Sequence, residues 1–190
     1  MLIFVLTGST SINAQQNRWH INPSGGITWQ VEKSETHKDH IEMSGKFISA
    51  VVRYGVNPDK SFYLSRDIVW PMLRTIPNNT HASLTRTFNI NLIDMISISK
   101  HVVTKEIVDE IILNGKLTVR STLNETYSLE RTIFPSTDQP VFCERYVLTN
   151  KSDKSISVEI PEINDNVITN PAEGVDGSYL LHVQSYNHGA

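Results

Sequence analysis

Two short stretches of this 190-residue chain hold most of the side chains that could do chemistry. The first is His37-Lys38-Asp39-His40-Ile41-Glu42. On a strand, His40 and Glu42 share a face, and with His37 they offer the donor types that ligate zinc or a similar ion. Lys38 interrupts the group and no distant fourth ligand can be picked out. A polar, solvated lead into a strand accounts for the same residues, as does a sugar site lined by His40 and Glu42, and no metal is assigned. The second stretch is Trp70-Pro71-Met72-Leu73-Arg74-Thr75-Ile76-Pro77-Asn78-Asn79-Thr80-His81. It combines an indole, a guanidinium, two amides and an imidazole, and follows neither the helical nor the strand period. Pro71 and Pro77 fix φ and remove two backbone donors, which makes it a stiff, extended loop. Such a loop suits recognition of a polar, ring-shaped ligand such as a sugar. The structural alternative is an inter-strand crossover with Trp70 in the core and the amides capping turns.

Glycoside hydrolysis needs two carboxylates, one as acid and one as base or nucleophile. Asp39, Glu42, Asp67, Asp94 and Glu144 are eligible, but the required separation is spatial and the sequence singles out no pair. Asp67 follows Arg66 and reads as half of an edge-strand ion pair. No Gly-x-Ser-x-Gly elbow is present, and Gly25-Gly26 lacks the third glycine and following helix of a phosphate loop. Trp19 and Trp29 flank that turn, as stacking platforms for pyranose faces or as a hairpin whose two indoles pack on the core. Cys143 lies in an alternating stretch, where it reads as a buried structural thiol rather than a nucleophile. As the one cysteine, it excludes an internal disulfide.

The elements that must hold these groups follow period two. Candidate strands are 41–54, 62–70, 81–90, 107–113, 117–122, 127–134, 141–148, 156–160 and 179–183. Asn114-Gly115 between two such runs predicts a two-residue hairpin with a type I′ turn. Leu117 and Val119 then fall on one face, Thr118 and Arg120 on the other. The β-branched residues of 102–112 favour strand over helix, and residues 162–177, rich in Asn, Asp, Pro and Gly, read as a loop or linker. Many short antiparallel strands joined by turns predict an all-β antiparallel β-sandwich. The final apolar run gives the impression of a sheet that continues beyond the chain.

Composition is ordinary for a globular domain: 39% hydrophobic residues supply a core, and a net charge of −3 gives no electrostatic reason to expect nucleic acid or an anionic membrane. Residues 1–14 resemble a signal peptide cleaved after Ala14, leaving 15–190 as the sandwich domain. No basic residue precedes the apolar run and Ile12 stands where a small residue is preferred, so an N-terminal strand is the alternative. The run is too short to span a bilayer. An exported protein without disulfides fits a bacterial envelope, periplasmic or extracellular. The sequons at Asn78, Asn124 and Asn150 are then accidental.

Several segments together resemble one family. His40-Ile41-Glu42-Met43-Ser44-Gly45-Lys46, Val52-Arg53-Tyr54-Gly55-Val56, and the stretch from Trp70 to His81 are similar to the N-terminal region of exported bacterial six-hairpin glycosidases of the α-L-rhamnosidase-like kind. Arg131-Thr132-Ile133-Phe134-Pro135-Ser136 and Glu144-Arg145-Tyr146-Val147-Leu148-Thr149-Asn150 fit the same group. The resemblance covers about residues 19–183. It implies a sandwich of the supersandwich type, incomplete without a downstream (α/α)6 barrel that carries the catalytic carboxylates. It implies no catalytic residue and no cofactor here. Trp70, Arg74, Asn78, Asn79 and His81 are the expected substrate-binding residues, reaching over the barrel mouth. The expected partners are the carbohydrate substrate and the barrel, and Arg74 could grip a hydroxyl pair or a uronate carboxylate. A free-standing carbohydrate-binding module with Trp19, Trp29 or Trp70 as platform is the alternative.

Overall fold

The computed structural model describes residues 18–23, 25–70, 84–89, 91–168 and 180–184, with side chains left undescribed at a few of these positions, Trp70 among them. In chain order the strands are β1 (Trp19–Ile21), β2 (Ile27–Gln30), β3 (Lys38–Ser44), β4 (Ser49–Val56), β5 (Phe62–Trp70) and β6 (Leu84–Phe88). A single 3-10 turn, Leu92–Met95, separates these from β7 (Ser97–Ile98), β8 (His101–Val102), β9 (Glu106–Leu113), β10 (Leu117–Leu123), β11 (Tyr127–Pro135) and β12 (Phe142–Asn150). Three short strands follow: β13 (Val158–Glu159), β14 (Asn164–Ile168) and β15 (Leu180–Gln184). All pairings are antiparallel. A six-stranded sheet runs β1-β2-β9-β10-β11-β12 and a four-stranded sheet runs β3-β4-β5-β6; β13-β7-β8 and β14-β15 form two small sheets.

The two large sheets pack face to face, which makes the domain the expected β-sandwich. Their shared core draws Trp29, Val108, Ile111, Val119 and Ile133 from the larger sheet, and Met43, Val52, Tyr54, Leu64 and Ile68 from the smaller. Alternation explains why these strands form. Leu117, Val119, Ser121 and Leu123 of β10 turn inward, while Thr118, Arg120 and Thr122 lie on the opposite face. Burial of each large apolar side chain contributes roughly 1.5–3 kcal/mol. In β9 the alternation skips a residue: Glu110 faces Arg120, but Ser121 faces Val108, so Asp109 is the extra residue of a bulge. The bulge keeps both Val108 and Ile111 in the core, and Asp109 accepts hydrogen bonds from Thr122 (2.8 Å) and the Val31 amide (3.0 Å). A second, smaller core of Ile93, Ile96, Ile98, Leu123 and Leu129 lies beneath the small β13-β7-β8 sheet.

Four expectations need correction. Residues 41–54 form two strands, because the chain turns at Gly45, whose amide bonds the Ile48 carbonyl at 2.8 Å. The Asn114-Gly115 hairpin has three loop residues, since Leu113 pairs directly with Leu117. Gly115 alone takes positive φ there (78°), so the turn is not type I′, which needs positive φ at two residues. The expected linker 162–177 contains β14, which pairs with β15. Of the expected strand 81–90, Leu84–Phe88 is seen and ends before Asn89, while 81–83 and 90 lie outside the described residues.

Gly55 shows how backbone and side-chain packing interlock. It sits in β4 between Lys38 and Tyr63, at φ 153°, and a Cβ there would run into the His37 carbonyl oxygen. The space above it is crossed by Lys38, whose ammonium lies 3.9 Å from the Tyr63 ring centroid. Gly55→Ala should therefore destabilise the domain by about 1–3 kcal/mol from strain alone, with the clash added. Gly115→Ala meets nothing within 4 Å and should cost less. Urea unfolding of the two variants checks the order; equal losses would contradict it.

Candidate functional site

Trp70 is the last residue of β5 and its Cα pairs with Leu84, so connection 71–83 leaves and returns at one end of the four-stranded sheet. Arg74, Asn78, Asn79 and His81 lie outside the described residues, as does the side chain of Trp70. The segment 1–14 is likewise outside them.

Several of the described candidates are held by structural partners. His40 and Glu42 share the outer face of β3 as expected, opposite Arg53 and Val51. His37 does not join them, because its ring packs 6.3 Å from that of Trp29. No group of three or more His, Cys, Asp or Glu suited to a metal occurs among the described residues. Trp29 is buried and donates to Glu35 at 2.7 Å. Trp19 lies edge-on to it at 5.9 Å. This is the core-packed hairpin, so Trp29 offers no stacking face. Asp39 pairs with Arg18 at 2.7 Å. Asp67 does not pair with Arg66, and β5 is not an edge strand: successive strand residues point to opposite faces, so Asp67 points outward to Arg53 (2.6 Å) and Thr87 (2.7 Å). Cys143 is half-buried rather than fully so, and burial pushes its thiol pKa up. Asn124 caps the amides of Thr104 and Lys105 (3.2 and 3.0 Å), which gives this sequon residue a structural role.

A polar layer inside the sandwich was not anticipated from the sequence, where its one signal is Arg131 standing in strand phase with the apolar Leu129 and Ile133. Arg131 of β11 is fully buried and forms an ion pair with Glu106 of β9, whose side chain is 4% exposed. Its guanidinium reaches across β10, where Ser121 lies 3.5 Å away, and sits over the rings of Phe62 (5.0 Å) and Tyr146 (5.9 Å). Arg131 Nε and Nη2 have no hydrogen-bond acceptor among the described residues, so these aromatic faces are the compensation the structure supplies. Glu106 also accepts from the Phe62 amide of the opposite sheet at 3.3 Å. Nearby, Arg66 of β5 points inward and pairs with Glu144 of β12, which accepts from the Tyr146 hydroxyl at 2.7 Å. Burial, and then the Glu144 charge, push the Tyr146 phenol far above its ordinary range, so it serves as a donor.

Glu106 also lines a groove of about 470 Å³ at one end of the sandwich. One wall is the β4–β5 turn, tied by Asn57 to Ser61 (3.0 Å) and Ser61 to Asp59 (2.6 Å). That turn is stapled across the sandwich by the Val108 amide on the Lys60 carbonyl, 3.1 Å. The facing wall carries Asn89, Asn91 and Asp94 around the 3-10 turn. The groove lies beside Phe62, Tyr63 and Leu64, whereas Trp70 is about 20 Å further along β5 at roughly 3.3 Å per residue. The groove and the Trp70–Leu84 pair therefore lie at opposite ends of the sheet. No family model, curated protein or solved structure matches the chain, and no helix among the described residues is long and apolar enough to cross a membrane.

Asp67 supplies a pH test of the outer face. Burial alone would raise its carboxyl, but hydrogen bonds from Thr87 and Arg53 and the guanidinium charge outweigh it and hold the pKa below its ordinary value. A depressed folded pKa gives stability that is complete above the unfolded value and is lost as pH falls through the folded one. The stability difference between wild type and Asp67→Asn should be largest near neutral pH and shrink below about pH 4. A difference independent of pH, in urea titrations, would contradict the ion-pair role.

Proposed function

We propose that this chain is a non-catalytic β-sandwich domain of an exported bacterial glycoside hydrolase, packing on a downstream barrel and helping to shape its substrate cleft. The observation that carries the reading is the engagement of three of the five eligible carboxylates in ion pairs. Asp39, Asp67 and Glu144 are each committed to an arginine on a different part of the sandwich, an arrangement that holds a fold together rather than placing an acid opposite a nucleophile. Hydrolysis then belongs to the barrel. The sandwich architecture agrees with what the sequence resemblance implies. The rival, a free-standing carbohydrate-binding module with a tryptophan platform, is weakened by the burial of Trp29.

Exposed apolar residues support a packing role. Met95, Val102, Val158 and Ile160 lie on or beside the small β13-β7-β8 sheet, with Val102 54% exposed. Val158 shares a face of that sheet with the buried Ile98, and Val102 the other face with Ser97 and Glu159, so they are separate apolar positions, either of which a neighbouring domain would cover. An antibody against residues 15–190 should detect, in source cells, a polypeptide several times longer than 190 residues. A band at the length of this chain would contradict the reading and favour the binding module.

A further inference from the structure

We infer that the end groove beside Glu106 is a recognition site for a neutral, hydroxyl-rich ligand, of which a terminal pyranose residue is the type. This rests on the carbohydrate reading above and assigns it a place in the fold. The groove volume, about 470 Å³, falls within the range of small-molecule sites, about 300–1,000 Å³. Its polar groups come in the mixture that hydroxyls need, since each hydroxyl both donates and accepts. Asn89 uses its carbonyl oxygen to accept from Ser65 (2.7 Å), and Asn91 uses its own for the Ile93 amide (3.4 Å). Both amide NH2 groups are thus uncommitted among the described residues. Acceptors complement them: the Asp94 amide bonds the Asn91 carbonyl (3.1 Å) but its carboxylate accepts nothing from the described residues, and Glu106 spends only part of its capacity on Arg131 and the Phe62 amide.

Glu106 makes this more than a solvated surface. Its carboxylate is almost wholly buried and fixed by the Arg131 ion pair, so it meets a ligand already oriented and without rotamer entropy left to lose. The charge balance sets the ligand class. Asp59 and Asp94 line the groove with no cation paired to them among the described residues, the Glu106 charge is matched by Arg131, and the groove lysine, Lys105, is engaged by Glu125. A uronate would be repelled here and a neutral sugar accepted. That differs from the 70–81 stretch, whose arginine suits an anion.

The test titrates the 190-residue chain with methyl α-L-rhamnopyranoside, methyl β-D-galactopyranoside and D-galacturonate, following backbone amides by NMR. At least one neutral glycoside should saturably shift the amides of Asn89, Asn91 and Thr104. Galacturonate should bind that site at least about tenfold more weakly, and Asp94→Ala should weaken neutral-glycoside binding about tenfold, the loss of one hydrogen bond to a charged group. Asp138→Ala, in the β11–β12 turn, should leave binding unchanged. Shifts confined to Trp70 and Leu84 would overturn the groove and leave the carbohydrate reading standing. No shift with any of the three, or tighter binding of galacturonate in the groove, would also overturn it. Those results leave the domain assignment to be judged by the size of the native polypeptide.

Discussion

A single buried ion pair, Glu106 with Arg131, ties together the parts of this sandwich that apolar packing alone would leave independent. Removing two charges from water costs several kcal/mol per ion. The structure offsets this with a direct contact, a backbone amide from the opposite sheet, and two aromatic faces over the guanidinium. These partners come from β5, β9, β11 and β12, so the pair specifies how the sheets register. It also lies between the two cores: Val119 and Ile133 belong to the main cluster, Leu123 and Leu129 to the smaller one. The same carboxylate that completes the interior forms part of the groove, which links the stability of the fold to the shape of its candidate site.

The neighbouring Arg66–Glu144–Tyr146 group serves the same interface at the edge of the large sheet. Glu144 sits on β12, an edge strand among the described residues. An inward-pointing charge on an edge strand discourages further strand addition, because an incoming chain would have to dehydrate it. Polar groups that a chemist would first suspect of catalysis are here occupied with holding strands in register. The proposed recognition groove lies at one end of the sheet, away from the Trp70–Leu84 pair at the other.

Much of the strand pattern was legible because period two is a local property. Strand 62–70 is met in full, and 107–113, 117–122, 127–134 and 141–148 differ from the observed strands by one or two residues at their ends. Failures occurred where local signals compete. Residues 41–54 are apolar and alternating on both sides of Gly45, so one long strand and a hairpin look alike. Asn, Pro and Gly around β14 hid a strand that pairing with β15 stabilises. The pairing within the interior polar layer could not be read. Arg131 stands in phase with Leu129 and Ile133, so period two does put it on the inward face, but its partner lies 25 residues away. The misassigned Arg66–Asp67 pair has a similar cause: adjacent residues on a strand point to opposite faces. The groove was invisible for the same reason, since Asn57, Asn89, Asp94 and Glu106 meet only once the sheets are stacked.

The central claim is that Glu106 and Arg131 act as one unit. A double-mutant cycle with Glu106→Gln, Arg131→Met and both together, read by urea unfolding, tests it most directly. Each single change should cost about 3–5 kcal/mol, because it leaves a buried partner uncompensated, and the double variant should cost clearly less than the sum. Strictly additive losses would mean that the two side chains contribute separately and that the pair does not organise the sandwich.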